Sequence, residues 1–357
     1  METKQDHQVV ASVQGMYTEH PFPNTSIVNT FWSHPHREYL KRAGVYQDGG
    51  SGLRILEGGC GTGEKLVAHA KTFPRAKLCA IDLTPASIQV ANFHVKEFRA
   101  HNVEAIKQAN LMEPLPFPDE SFDVVYSLGV VHHTPKPYLA MQNLGRLVKP
   151  GGYLFFWVYG ALGQLWRIKK LNYMTLMRKG LPAEETEQVV RDSFKEASFS
   201  FNVRDRIRSL SSMKGINFGL LAQSLLVAIK RRRSFNFVGM DDSNLYDGFL
   251  HAHEKFYTGE DVVTDTRKSG LFIEDFIVPE LTLTGRVNRM SDLMRRQWEK
   301  LTPFERLQAV DAITLPNEYW WVCRKSPTPF SKSVPEDYGS TVKIVRTAFD
   351  TDQDESR

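Results

Sequence analysis

The stretch Leu53-Arg-Ile-Leu-Glu-Gly-Gly-Cys-Gly-Thr-Gly63 decides the fold class of this chain of 357 residues. Its mostly apolar first part predicts a short buried strand that ends in the carboxylate of Glu57. The glycines at 59, 61 and 63 predict a tight turn whose backbone can approach a ligand closely. A helical pattern follows from Glu64 to Phe73. A strand, a glycine turn and a helix N-terminus together predict a nucleotide-like site at the carboxyl edge of a parallel sheet.

The spacing of these glycines argues against a nicotinamide or flavin cofactor. The dinucleotide fingerprint reads G-x-G-x-x-G, whereas this turn reads G-x-G-x-G and places Glu64 at the sixth position. A nicotinamide-dependent dehydrogenase is therefore the class of enzyme that we favour least.

Residues 53 to 160 alternate between strand-like and helix-like patterns, which predicts a parallel sheet. The second strand, Lys77 to Ile81, is followed at once by Asp82 and by a helix that Thr84 caps and Pro85 begins. A carboxylate at the tip of this strand is where a ribose diol would be held by two charge-assisted hydrogen bonds. The alternative is an acid that only complements the N-terminus of the helix.

The run from Ile55 to Gly63 resembles the first motif of the class I S-adenosylmethionine-dependent methyltransferases, of the type found in ubiquinone and menaquinone biosynthesis. Further motifs follow in the order of that family: Asp82, Leu115-Pro-Phe-Pro118, Phe122-Asp-Val-Val125, Val131-His-His133 and Lys149-Pro-Gly-Gly152. The resemblance implies an α/β fold with a doubly wound, seven-stranded, mostly parallel sheet of the Rossmann-like methyltransferase type. In that fold the seventh strand lies antiparallel beside the sixth.

The resemblance also implies that the cofactor is S-adenosylmethionine. In the family, acids after the first, second and third strands face the amino-acid end, the ribose and the adenine of the cofactor. This chain has Glu57 at the first place and Asn110 at the third, so its adenine contact carries no charge. The residues expected to bind the cofactor are Glu57, Gly58, Gly59, Gly61, Gly63, Asp82, Leu83, Asn110, Leu111, Ser127 and Leu128.

The residues that act on the acceptor are less clearly marked. The sulfonium of the cofactor makes its methyl group electrophilic, so a general base is needed only for an acidic acceptor such as a hydroxyl. The candidate catalytic residues are His132 and His133, just past the fourth strand, and Tyr17 near the N-terminus. Each histidine has the alternative role of stacking on the cofactor or bonding a loop carbonyl. His251 and His253 supply only two ligands, and we expect no metal site.

The sequence pattern divides the chain into five segments. These are an N-terminal helical cap (1–50), the S-adenosylmethionine-binding core (51–160), a helical lid inserted after the fifth strand (161–246), the remainder of the core sheet with strands six and seven (247–325) and a polar tail (326–357). As a cap, the first segment would turn Tyr17, His20 and Phe22 toward the acceptor. The alternative is a helical collar at the edge of the sheet.

The predicted lid contains a basic amphipathic stretch. Apolar residues at helical spacing between Asn217 and Ile229 are followed by Lys230-Arg-Arg-Arg233. We favour a lid helix whose basic end complements its own dipole and faces water. The alternative is peripheral contact with a membrane or an acidic partner.

The composition is that of an ordinary globular protein. The formal net charge of +4 is too weak to indicate a nucleic-acid partner, and the 3 cysteines predict reduced, buried thiols. The chain has no signal-peptide pattern at its start and no run of about 18 apolar residues. We therefore expect a cytoplasmic protein.

We expect the partner to be a small-molecule methyl acceptor. The chain lacks both the Asp/Asn-Pro-Pro-Tyr/Phe run of amino-base methyltransferases and the Pro-Cys motif of the cytosine-C5 type. Methylation of protein or RNA is the alternative within the enzymes. A non-catalytic S-adenosylmethionine-binding protein on the same fold is the alternative outside them, because a fold alone does not name a substrate.

Overall fold

The computed structural model describes residues 3–23, 37, 39–41, 43–195, 242–276, 287, 289–301, 305–306, 309, 311 and 316–325. The chain divides into two compact units, one formed by Met1–Leu165 with Ala252–Arg357 and the other by Trp166–His251. The predicted helix at 217–229, the basic run at 230–233 and the tail at 326–357 lie outside the described residues. Within the described part, no helix is long and apolar enough to cross a membrane.

Seven strands of the first unit form one sheet in the order β3-β2-β1-β4-β5-β7-β6. Their bounds are β1 Arg54–Gly58, β2 Lys77–Asp82, β3 Val103–Gln108, β4 Phe122–Leu128, β5 Val148–Tyr159, β6 Phe272–Phe276 and β7 Glu318–Arg324. The first five strands pair in parallel, whereas β7 lies antiparallel between β5 and β6. The predicted mostly parallel sheet with an antiparallel seventh strand is confirmed. Because the strand order reverses between β1 and β4, a crevice for a ligand is expected at the carboxyl ends of these two strands.

The strand β5 begins earlier than the sequence pattern indicates. The run Lys149-Pro-Gly-Gly152 predicts a turn that precedes a strand at Tyr153, but β5 already starts at Val148. Its pairing with β4 joins Phe122 to Val148 and then shifts, so that Val124 faces Tyr153. β5 therefore has more residues than β4 between these two pairs, and this irregularity accommodates one proline and two glycines within the strand.

The α-helices described are α1 Lys4–Glu19, α2 Glu64–Thr72, α3 Pro85–Glu97, α4 Pro137–Arg146, α5 Leu165–Met177, α6 Ala183–Lys195, α7 Asp242–Phe249, α8 Gly259–Lys268 and α9 Asp292–Lys300. A 3-10 helix, Val131–His133, follows β4 and is called the histidine turn below. The histidine turn and the N-termini of α2 and α3 all follow the carboxyl ends of strands.

The helix α8 starts with the capping box that its sequence predicts. The Thr258 hydroxyl accepts from the Asp261 amide at 3.2 Å, and the Asp261 carboxylate accepts from the Thr258 amide at 2.9 Å. The expectation that Thr84 caps α3 is only half right. Thr84 does precede the helix, but its side chain makes no capping bond because its hydroxyl donates to the Asp82 carboxylate at 2.7 Å.

Side chains alternate between the two faces of the sheet and build a hydrophobic cluster on each. Along β4, Val125 belongs to one cluster and Tyr126 to the other, and along β5 Phe156 and Phe155 divide in the same way. The first cluster includes residues of α4 and α8, and the second includes residues of α2 and α3. Helices therefore cover both faces, which is the doubly wound arrangement.

The second unit is helical in its described part. Met174 of α5, Val190 of α6 and Phe249 of α7 form a small buried cluster. The Arg167 guanidinium donates to the Gly248 carbonyl at 3.0 Å, which ties α5 to α7. The role of this unit as a lid stays a prediction.

Candidate functional site

The glycine turn after β1 is held by hydrogen bonds to the end of β2. The amides of Gly59 and Cys60 both donate to the Ile81 carbonyl, at 2.8 and 3.0 Å. The amide of Gly61 donates to the Asp82 carboxylate at 2.7 Å. The turn also requires φ values of +81°, +52° and +83° at its three glycines, a region that residues with a Cβ seldom adopt. The predicted turn is thus a rigid loop docked on the tip of β2.

Asp82 is the centre of this arrangement. One carboxylate oxygen accepts from Gly61, and the other accepts from the amide and the hydroxyl of Thr84 at 3.0 and 2.7 Å. Burial raises the pKa of Asp82, and these hydrogen bonds oppose that rise. The carboxylate therefore joins the glycine turn to the N-terminus of α3, where the family resemblance expects a ribose contact.

The N-terminal segment lies directly on the glycine turn. The Phe22 carbonyl accepts from the Thr62 amide at 3.2 Å, and the Pro23 carbonyl accepts from the Thr62 hydroxyl at 2.6 Å. A Cβ added at Gly61 would lie 2.4 Å from the Phe22 oxygen. Glycine is therefore required at position 61 by this close backbone approach as well as by its φ.

The helix α1 spans the carboxyl edge of the sheet. Near its start, Asp6 pairs with Lys136 after the histidine turn at 2.5 Å, and farther along Gln14 donates to the carbonyl of Leu83 at 3.3 Å. Tyr17 is half-buried and lies one turn after the buried Val13, on the same face of the helix. These two contacts hold α1 against the loops that follow β2 and β4, and its role as a cap stays a prediction.

Glu57 makes a contact that the sequence did not predict. Its carboxylate lies 3.0 Å from Nδ1 of His69 in α2, and the two residues are 2% and 0% exposed. The imidazole also stacks on the Tyr126 ring with a centroid separation of 4.2 Å. In the structure the acid of the first motif is therefore buried and paired with a histidine.

The end of β4 is held by a lysine that the sequence analysis did not single out. The Ser127 hydroxyl donates to the Gly58 carbonyl at 3.0 Å, and the Lys65 ammonium donates to the Leu128 carbonyl at 2.6 Å. The same ammonium lies 5.0 Å from the centre of the Trp157 ring, a cation–π contact. Lys65 thus brings a positive charge to the crevice between β1 and β4.

Asn110 already has two local partners. Its carbonyl accepts from the amide of Met112 at 3.0 Å, and its amide group donates to Glu113 at 3.0 Å. The neighbouring Leu111 is buried, and its carbonyl accepts from Asn143 at 2.8 Å. Asn110 therefore stabilises the turn after β3, and the predicted contact with adenine would have to use the second lone pair of its carbonyl.

The histidine turn is buried and tied to a distant segment of the first unit. His132 is 0% exposed and His133 is 7% exposed. Nδ1 of His133 lies 3.1 Å from the His253 carbonyl, and the amide of Lys255 donates to the His132 carbonyl at 2.9 Å. His133 thus makes a contact with a loop carbonyl, and the role of either histidine toward an acceptor stays a prediction.

The Tyr159 ring packs on both histidines of the histidine turn. Tyr159 packs its edge on His132 with a centroid separation of 4.9 Å, and it also contacts Trp157 at 5.4 Å and Phe256 at 6.2 Å. We call His132, His133, Trp157, Tyr159 and Phe256 the aromatic cluster. Because β5 ends at Tyr159, the cluster lies at the carboxyl edge beside β4 and β5.

The comparisons with known proteins agree with this geometry. The methyltransferase domain family matches residues 56–156. A ubiquinone biosynthesis O-methyltransferase of Alkalilimnicola ehrlichii is 33% identical over 176 residues, which cover 48% of this chain and 67% of that protein. The chain belongs to the class I S-adenosylmethionine-dependent methyltransferases.

Other relatives resemble this methyltransferase over shorter parts of their length. The 27-O-demethylrifamycin SV methyltransferase of Amycolatopsis mediterranei is 33% identical over 104 residues, which cover 29% of this chain and 38% of that protein. PKMT2 of Rickettsia typhi in complex with AdoHcy superposes with a TM-score of 0.52 and 15% identity over 79% of this chain and 50% of that one. The chain thus spans about half the length of that solved structure, which supports the fold alone.

The crevice of this methyltransferase suits S-adenosylmethionine, the cofactor of the family. Asp82 offers carboxylate acceptors at the tip of β2, beside a glycine turn that carries no side chains at positions 59, 61 and 63. A diol and a carboxylate form the charge-assisted pair that holds a ribose. Sequence reasoning found this half of the site but missed His69 and Lys65, for which no motif gives a signal.

Proposed function

We propose that this methyltransferase transfers the methyl group of S-adenosylmethionine to a small-molecule acceptor, and that the acceptor group is a hydroxyl. The observation that carries the proposal is the aromatic cluster at the carboxyl edge beside β4 and β5. Aromatic side chains with a few polar atoms among them are the usual lining of small-molecule sites. Two relatives are named ubiquinone biosynthesis O-methyltransferase and 27-O-demethylrifamycin SV methyltransferase, and these names support the same choice.

The proposed cofactor contacts follow the carboxyl edge from β2 to β4. Asp82 is assigned to the ribose, Leu83 and Leu111 to the adenine face, and Asn110 to the adenine edge. The backbone from Gly58 to Gly63 is assigned to the methionine part, with Ser127 and Leu128 closing the site. Glu57 is assigned an indirect role at the amino-acid end, because its carboxylate is paired with His69.

The acceptor side of the proposal rests on the histidine turn. When bound, the cofactor supplies an electrophilic methyl group, so these residues have only to orient an acceptor, exclude water and handle its proton. The contacts of His132 and His133 with the Tyr159 ring, at centroid separations of 4.9 and 6.4 Å, support their assignment to the acceptor. Tyr17 is assigned to the same side, since α1 anchors at Leu83 and at Lys136 on either side of the crevice.

The first experiment is a calorimetric titration of the full chain with S-adenosylmethionine, S-adenosylhomocysteine and NAD in parallel. Binding of both adenosyl compounds without binding of NAD is the expected result. The same titration is made with Asp82→Ala and with Asp119→Ala, the latter a control at an exposed aspartate outside the site. A loss of affinity in Asp82→Ala alone shows that the effect is specific to the site. Failure of both adenosyl compounds to bind the wild-type chain would contradict the assigned cofactor contacts.

The acceptor class is tested by following a tritiated methyl group from S-adenosylmethionine into a cell extract. We expect the label in the fraction that organic solvent extracts, where small hydroxylated compounds collect. Label in acid-precipitated protein or RNA would instead assign the enzyme to macromolecules. Cofactor binding without any transfer in either fraction would favour a non-catalytic binding protein.

A further inference from the structure

We propose that the histidine turn, together with Glu254, is a binding site for a divalent transition-metal ion. One ligand atom from each of His132, His133 and Glu254 lies within 4.8 Å of the other two. The two histidines come from the turn after β4, and the carboxylate comes from the segment that precedes α8. All three belong to the same compact unit.

The backbone holds these ligands in place before any ion binds. A carbonyl can only accept, so the 3.1 Å contact between His133 Nδ1 and the His253 carbonyl places the proton on Nδ1. The lone pair of the ring is then on Nε2, and a metal-bound histidine has this same pairing of one ring nitrogen with a carbonyl. The bond from the Lys255 amide to the His132 carbonyl, at 2.9 Å, fixes the residue after Glu254 as well.

The ligands lie in a buried part of the unit, since both histidines have less than a tenth of their surface exposed. Lys255, the residue after Glu254, directs its ammonium to Asp265 at 2.8 Å and to Asp261 at 3.4 Å. That charge is therefore paired with carboxylates on α8.

The donor set indicates which ions fit. Two imidazole nitrogens and one carboxylate oxygen suit Zn²⁺, Fe²⁺ or Co²⁺, whereas Mg²⁺ and Ca²⁺ prefer a shell of oxygen ligands. Three protein ligands also leave coordination positions for a ligand from outside the chain. His251 and His253 alone supply only two ligands, which is why the sequence predicts no metal. Glu254 meets the histidines of the distant turn only in the folded unit.

The role of the ion in methyl transfer rests on the proposed function, whereas the proposal that an ion binds here does not. An ion in this place would lie beside the aromatic cluster, where the acceptor is assigned. Coordination of a hydroxyl oxygen would lower the pKa of that hydroxyl, so its proton would pass to water without a general base. The oxygen would then bond the methyl carbon as the carbon–sulfur bond of the cofactor breaks and S-adenosylhomocysteine leaves.

The test is a titration of the chelator-treated full chain with Co²⁺, followed by its visible d–d absorption. We expect one ion per chain, displaced by Zn²⁺ and not by Mg²⁺. The conservative change Glu254→Gln, and separately His133→Ala, should weaken binding at least about 100-fold, since even the loss of an outer partner costs 10- to 100-fold. His101→Ala, an exposed histidine before β3, is the matched control and should bind as the wild type does.

Two results would overturn the metal site. One is the absence of Co²⁺ binding to the wild-type chain, and the other is equal affinity in Glu254→Gln and His101→Ala. Circular dichroism and S-adenosylmethionine titration of each variant show that it is folded, so a weak His133→Ala result cannot arise from unfolding. Metal binding with no methyl transfer to small molecules would contradict the proposed function and leave the metal site standing.

Discussion

The carboxyl edge of the sheet has two halves that are built from different ranges of the sequence. In the half proposed for the cofactor, called the cofactor half below, at the ends of β1 and β2, Asp82 bonds Gly61 at a separation of 21 residues and Glu57 pairs with His69 at a separation of 12. In the half proposed for the acceptor, called the acceptor half below, at the ends of β4 and β5, the corresponding separations are 120 for His133 with His253, 130 for Lys136 with Asp6 and 161 for Trp157 with Glu318. The paired residues of the first half are therefore close in sequence, whereas those of the second half come together only in the folded unit.

The largest effect is expected when the buried pair of the cofactor half is broken. We expect His69→Leu to lower the free energy of unfolding by roughly 3–5 kcal/mol, because it leaves the Glu57 carboxylate buried without its imidazole partner. Urea denaturation measures the loss. Glu57→Gln keeps a hydrogen-bonding group beside the imidazole and should cost clearly less. Equal losses in the two variants would show that the pair contributes only its packing volume.

The second prediction concerns the acid that holds the glycine turn. Asp82→Ala should weaken the binding of S-adenosylmethionine by roughly 1–3 kcal/mol, because it removes the assigned ribose acceptor and leaves the amides of Gly61 and Thr84 without theirs. Calorimetric titration measures the change. Asp82→Asn retains part of the acceptor capacity and should fall between the wild type and the alanine variant. An unchanged affinity in Asp82→Ala would refute the ribose assignment.

The two halves also differ in how far the sequence predicts them. The alternation of strands and helices, the glycine turn and Asp82 follow from local patterns of apolar residues, glycines and acids. The seven-stranded sheet with an antiparallel β7 follows from the family resemblance, and the structure contains all of these features. The pairing of Glu57 with His69 is local in sequence but has no pattern of its own, since a histidine on a helix face is common. The joining of Glu254 to the histidine turn depends on how two distant segments pack, which no local pattern encodes.

A smaller effect is expected where the two halves meet, at the contact of the N-terminal segment with the glycine turn. Gly61→Ala and Gly151→Ala both place a Cβ at positive φ, which costs roughly 1–2 kcal/mol of stability. Only Gly61 has a backbone oxygen, that of Phe22, in the path of the new Cβ, whereas Gly151 has nothing within 4 Å. Thermal denaturation should therefore show a greater loss for Gly61→Ala, and cofactor affinity should fall only in that variant. Equal behaviour would mean that the N-terminal segment moves aside without cost.

In the acceptor half, Trp157→Phe removes one long-range bond and keeps an aromatic, although smaller, side chain. The indole Nε1 donates to Glu318 at 2.9 Å, which joins the end of β5 to the start of β7. Loss of this bond should lower the free energy of unfolding by about 0.5–1.5 kcal/mol. Cofactor affinity should remain unchanged while methyl transfer falls. A loss of cofactor affinity would show that the two halves are not separable.

The smallest effect is expected at the pair that anchors α1 over the crevice. The hydrogen bond from Lys136, together with those from Thr3, lowers the pKa of Asp6 from 3.8 to about 2. An acid whose pKa is lower in the folded state stabilises that state fully above 3.8, and the stabilisation is lost as the pH falls toward 2. Amide hydrogen exchange in α1 should therefore be equally slow, after correction for intrinsic rates, at pH 7 and pH 5. Asp6→Asn should speed it at both values while β4 and β5 stay protected, and faster exchange across the whole sheet would show that α1 is part of the core and not a cap placed upon it.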